Sequence, residues 1–144
     1  GPKQRMRLQR YNLSPRVRYI LTAMTAPVIW LLVIPFALLD LFVTIYQYIC
    51  FPIYGIRIVP RWHFVVIDRY ELPYLTIFER LNCAYCGYVN GVIAYIREVA
   101  SRTEKRWCPI KHGRVVRGRH SRYRDFADYG DQKAAKKWRK EVKQ

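Results

Sequence analysis

VRYILTAMTAPVIWLLVIPFALLDLFVTIYQYICFPIYGI, residues 17–56, decides how the rest of the chain is read. From Tyr19 to Ile56 it contains no lysine, arginine, glutamate or histidine, and Asp40 is its only charge. About 20 apolar residues cross a bilayer, so a run of this length reads as membrane-embedded. It is too long for the apolar core of a signal peptide, and no clear small-residue cleavage site follows it. We therefore expect it to stay in the mature protein. The opening Gly-Pro reads as a tag-cleavage scar and is left out of fold reasoning.

Three architectures fit the run. In the first, Val17 to Ile34 and Leu41 to Ile56 are two short spans joined by a tight turn at Pro35 to Asp40. Each limb then reaches roughly 24 to 27 Å, slightly short of a ~30 Å hydrocarbon core. In the second, the run is a re-entrant wedge kinked at Pro35. Asp40 then sits at depth and costs about 2.5 to 3.5 kcal/mol unless a partner or water satisfies it. In the third, one span ends near Asp40 and the remainder lies on the opposite surface. That arrangement moves a basic half-chain across the membrane and puts free thiols in an oxidising compartment. We expect a helical membrane hairpin, as two spans or as a wedge, with Pro27, Pro35 and Asp40 suited to packing against other membrane helices. Cys50 reads as a small buried apolar residue.

The net charge of +16 comes from both flanks. Residues 1–18 form an arm with six Lys or Arg and no acid, and residues 113–144 form a tail with eleven basic groups against four acidic ones. The positive-inside tendency asks each flank to be cytoplasmic, at the inner membrane of a bacterium. Basic groups beside a membrane attract anionic phospholipid at about 1 kcal/mol each, so nucleic acid is not needed to explain the charge. Arg5, Arg7, Arg10, Arg114, Arg117, Arg119, Arg122 and Trp138 are the expected lipid or partner contacts.

Between hairpin and tail, residues 57–112 form a separate region. RWHFVVIDR (61–69) reads as a short strand, β-branched and aromatic between Pro60 and Pro73. ELPYLTIFERLN follows as a helix, with Pro73 at a first helical position and Leu75, Phe78 and Leu81 on one face. His63, between Trp62 and Phe64, reads as an interfacial residue. From Asn90, taken as an N-cap, a second helix carries Val92, Ile96, Val99 or Ala100, Thr103 and Trp107 at helical spacing, with Glu98 and Arg102 paired across one turn.

Three of the four cysteines cluster with a histidine as Cys83-x2-Cys86 and Cys108-x3-His112. Two thiolates separated by two residues can meet one ion from a tight knuckle, and Gly87 lets that turn close. Pro109 stiffens the second loop. Four such ligands make a closed tetrahedral zinc site, provided that the intervening helix bends, packs back or is short. CAYCGY with WCPIKH resembles the paired knuckles of rubredoxin-like and zinc-ribbon proteins, whose pattern is CxxCG repeated as CPxCG. The resemblance implies ligand roles for Cys83, Cys86 and Cys108. The last cysteine of the pattern is missing, and His112 is proposed from spacing alone. Imidazole in place of a thiolate favours Zn2+ over Fe. The longer string NCAYCGYVNGVIAYIREVASRTEKRWCPIKH is similar to a family of small uncharacterised proteobacterial membrane proteins, from which no function carries over.

The chain shows no Ser/His/Asp arrangement, phosphate-binding glycine loop or paired-carboxylate motif, and a four-ligand zinc has no open position for water. We expect a mainly α membrane protein: a hairpin, a small cytoplasmic zinc-knuckle module and a basic C-terminal tail. It would serve as a non-catalytic accessory or scaffold subunit among other membrane proteins. The alternative is a membrane-tethered rubredoxin-like one-electron carrier with iron in the same site.

Overall fold

Ser14 opens the first helix, α1 (Pro15–Leu31), by accepting from the Val17 amide, with Pro15 at a position where its missing N–H costs nothing. The computed structural model describes residues 14–143, so the expected contacts Arg5, Arg7 and Arg10 lie outside the described residues. The described chain is mostly helical and has no strand. It divides into two units, Gly1–Pro35 and Phe36–Gln144.

In the first unit, α1 buries none of its residues. Its two threonine hydroxyls bond back to the helix, Thr22 to the Arg18 carbonyl and Thr25 to the Thr22 carbonyl, each at 2.8 Å. That removes the polar liability an apolar surrounding would penalise. Pro27 is accommodated inside the helix.

The second helix, α2, runs Val33–Tyr54. Pro35 to Asp40 are helical, so the tight turn expected there does not form; Leu32 is the one residue between α1 and α2. The physical reason is position: Pro35 falls in the first turn of α2, where a proline removes no intrahelical bond. By length and composition, Pro15–Tyr54 is apolar enough to cross a membrane, a test that a signal sequence near the N-terminus also passes.

In the second unit, α2 ends at Gly55, whose φ of 69° suits glycine. The Ile56 amide reaches the Phe51 carbonyl and the Gly55 amide reaches that of Pro52, which together close a Schellman stop. A return segment, 55–76, then runs back with two short 3-10 turns, Arg61–His63 and Arg69–Glu71. RWHFVVIDR is therefore not a strand. Its β-branched residues have no neighbouring strand to pair with, and the one β-type pairing among the described residues is an isolated bridge between Ile110 and Ala127.

The third helix, α3, is continuous over Ile77–Trp107. Thr76, rather than Pro73, starts it: the Thr76 hydroxyl accepts from the Glu79 amide while the Glu79 carboxylate accepts from the Thr76 amide. Asn90 is interior to the helix, its side-chain Nδ2 donating to the Cys86 carbonyl at 2.8 Å. The two helices expected here are one.

Contacts between α2 and α3 rise together in number, Asp40 with Tyr88, Gln47 with Tyr95 and Tyr54 with Arg106. The two helices thus run in the same direction, and the return segment is the crossover that permits it. Phe51, Val59, Tyr95 and Val99 form the core they enclose. Gly91 is buried because the return chain crosses there: a Cβ would stand 2.5 Å from the Phe64 carbonyl oxygen and 2.9 Å from the Val65 Cα. Gly87, one turn earlier, faces the Val66 carbonyl in the same way.

After α3, the basic segment folds back along it. Tyr123 and Phe126 are buried, a 3-10 turn covers Ser121–Asp125, and α4 spans Gln132–Lys143.

Candidate functional site

The four expected metal ligands are not brought together. Cys83 and Cys86 sit one turn apart on α3, while Cys108 caps its far end and His112 lies beyond. At 1.5 Å per residue, Cys86 and Cys108 are separated by about 33 Å of helix. A tetrahedral zinc needs all four donors within about 2.3 Å of one point, so these residues do not fit a single ion. No group of three or more His, Cys, Asp or Glu side chains among the described residues could hold a metal. Gly87 reads as the glycine that closes a knuckle, yet its lack of a side chain serves the passing return segment.

His112 has a different role. Its backbone amide donates to the Tyr123 hydroxyl at 2.7 Å, its Nδ1 lies 3.2 Å from the same oxygen, and the two rings stack. His63 is exposed against Trp62. All four cysteines are free thiols, with Cys86 and Cys108 exposed.

The polar groups that do converge lie along one face of α2. Asp40, Thr44 and Gln47 follow a 4–3 spacing, which places them on one side of a helix. Asp40 accepts from Arg61 through both guanidinium arms, with Nε–Oδ1 at 2.8 Å, and from the Tyr88 hydroxyl at 3.0 Å. The carboxylate is 9% exposed and the guanidinium side chain 41%, so the pair is sheltered on its acidic side and open on its basic side. Asp40 thus meets its partner within the chain, through the return segment.

Two turns on, Gln47 is fully buried and satisfied at both ends. Its Oε1 accepts from the Val59 amide at 2.9 Å, and its Nε2 donates to the Val59 carbonyl at 3.1 Å and to the Tyr95 hydroxyl at 2.6 Å. The Thr44 hydroxyl lies 3.0 Å from that same tyrosine oxygen. A buried amide with one unmet group costs about 1 to 3 kcal/mol, so this complete pairing decides whether the return segment can be held at all. The 4–3 spacing was present in the sequence, and it is the signal that would have located this cluster.

The C-terminal segment is held by charge. Glu98 accepts from Arg122 at 2.6 and 2.9 Å and from Arg102 at 3.0 Å, and Arg122 also reaches Ser101. The Arg122 guanidinium holds the Glu98 carboxyl below the usual carboxylate range, against the opposing effect of burial and with help from Arg102. His120 pairs with Glu104 at 2.7 Å. Arg119 lies over the Tyr123 ring, while Arg114 and Arg117 are exposed. Comparison with protein-family models, curated proteins and solved structures finds no match to the chain.

Proposed function

We propose that the chain is a membrane-anchored, non-catalytic accessory or scaffold protein that holds a small helical module beside anionic lipid and other membrane-protein subunits. The carrying observation is the surface of its apolar stretch. α1 buries nothing, and α2 leaves Leu38, Leu41, Phe42, Ile45, Ile49 and Ile53 exposed on the side opposite Asp40, Thr44 and Gln47. A contiguous apolar surface on this scale is stable against lipid or a partner and not against water. At about 25 Å, α1 falls only slightly short of a ~30 Å hydrocarbon core, while α2 carries α3 along its inner side and meets lipid or a partner through its outer face.

The basic flanks support a cytoplasmic module at the inner membrane. Salt-bridged Glu98 and hydrogen-bonded Gln47 and Asp40 have structural duties, which supports a scaffold over a catalyst. Fractionation tests the anchor: the chain stays in the membrane pellet after alkaline carbonate washing. Release as a monodisperse soluble protein overturns it. The sidedness is read from the exposed native thiols of Cys86 and Cys108, which a membrane-impermeant maleimide labels only in permeabilised cells.

A further inference from the structure

A cleft of about 820 Å³ opens in the second unit where the apolar stretch ends. Gly55 and Arg57, the first residues beyond α2, form one wall, and the last turns of α3 form another with Arg102, Lys105 and Arg106. The third wall is Arg122 together with Lys137 and Trp138 of α4.

These cations are of two kinds. Arg102 and Arg122 are anchored on Glu98, and Arg106 donates to the Tyr54 carbonyl. Arg57, Lys105 and Lys137 are exposed and form no ion pair among the described residues. Four acids also line the cleft: Asp128 takes Lys111, Asp131 caps α4 by accepting from the Ala134 amide, and Asp125 and Glu141 form no ion pair among the described residues, so the lining carries six cations against four carboxylates. Apolar surface from Ile56, Phe126 and Trp138 lines the cleft beside the charges, and the buried Trp138 indole N–H has no hydrogen-bond partner among the described residues.

We infer that this cleft binds the phosphate headgroup of an anionic phospholipid, with Arg57, Lys105 and Lys137 meeting the phosphate and Trp138 packing beside the glycerol. The inference rests on the membrane-anchored reading, in which the exposed apolar face of α2 meets lipid and stops at Tyr54, beside residues 55–57. It replaces a diffuse basic surface with one defined pocket. A site for inorganic phosphate alone would have no use for the apolar part of the lining.

The test uses the full chain in neutral detergent micelles, titrated with dihexanoyl-phosphatidylglycerol and followed by tryptophan fluorescence. A saturable change is expected, absent in Trp138→Phe and weakened about 10- to 30-fold in the double variant Arg57→Gln/Lys105→Gln. The control Arg69→Gln/Arg124→Gln removes the same charge at exposed positions outside the cleft and leaves binding unchanged. Equal weakening by both double variants, or no saturable change at all, overturns the site. Saturation by inorganic phosphate in the same concentration range overturns the lipid as its source, and so does an equal response to dihexanoyl-phosphatidylcholine. Flotation with neutral phosphatidylcholine vesicles is scored separately: a chain that floats without filling the cleft loses the site alone, and one that fails to float loses the anchor reading.

Discussion

α1 and α2 are both largely apolar and differ in what they bury. α1 buries no residue, whereas α2 buries Asp40, Gln47 and Phe51 in contacts with the return segment and α3. Hydropathy does not account for the difference, since α2 is the more apolar of the two and yet carries buried Asp40 and Gln47. What separates them is a polar stripe three residues long, which gives α2 an inner face that must be paired and leaves its outer face as apolar as α1. The comparison teaches that one polar face commits a membrane-like helix to a fold of its own.

Substitutions break the comparison in opposite ways. The largest effect is expected for Gln47→Ala, which strips the Val59 amide and carbonyl of their partner and opens a cavity beside Tyr95; it costs roughly 4 kcal/mol of stability in the second unit. Thermal unfolding followed by circular dichroism measures this, and a loss under 1 kcal/mol contradicts the pairing. Met24→Lys in the middle of α1 costs about 3 kcal/mol of membrane insertion and leaves that same melting transition where it was. A common loss of fold in both variants removes the distinction between the helices.

Gly91→Ala comes next. The added Cβ meets backbone atoms of Phe64 and Val65, which have no flexible end to move aside, so the return segment must shift at about 2 kcal/mol. An alanine that raises stability, as helix propensity alone would have it, shows that the crossing is wider than described.

The smallest effect belongs to Glu98. Its folded-state pKa is depressed by Arg122, so its contribution is fully present above the ordinary carboxylate value of about 4.3 and is lost as pH falls through the lowered value. Melting temperature therefore drops more between about pH 5 and pH 3 in the native chain than in Glu98→Gln, with a difference of about 1 kcal/mol at neutral pH. Parallel pH curves for the two proteins leave the pair without energetic weight.

The helical class and the Glu98–Arg102 pair were legible because each rests on neighbours in sequence. The packing face of α3 was legible in part for the same reason: Val92 and Val99 are buried and Ile96 is half-buried, whereas Ala100 and Trp107 are exposed. The knuckle was misread because glycine has two meanings. In a turn it supplies a conformation, and in a helix it clears a path for another segment; Gly87 and Gly91 do the second. Pro35 misled similarly, since a proline that ends one helix and one that begins the next look alike in a string. The crossover itself was out of reach, because the residues that hold it, Asp40 to Arg61 and Gln47 to Val59, are paired by the path of the chain between them.

Gln47 also changes what counts as a loop in this molecule. Its single amide engages both backbone groups of Val59, as one residue of a neighbouring strand would do. Val59 belongs to no regular element, yet its N–H is buried and can meet solvent only when α2 and α3 separate. Amide hydrogen exchange at Val59 is therefore expected to follow the global unfolding of the second unit, among the slowest in the chain, while the amide of exposed Trp62 exchanges freely. The crossover then unfolds with the core it encloses, and the connection is part of the cooperative unit.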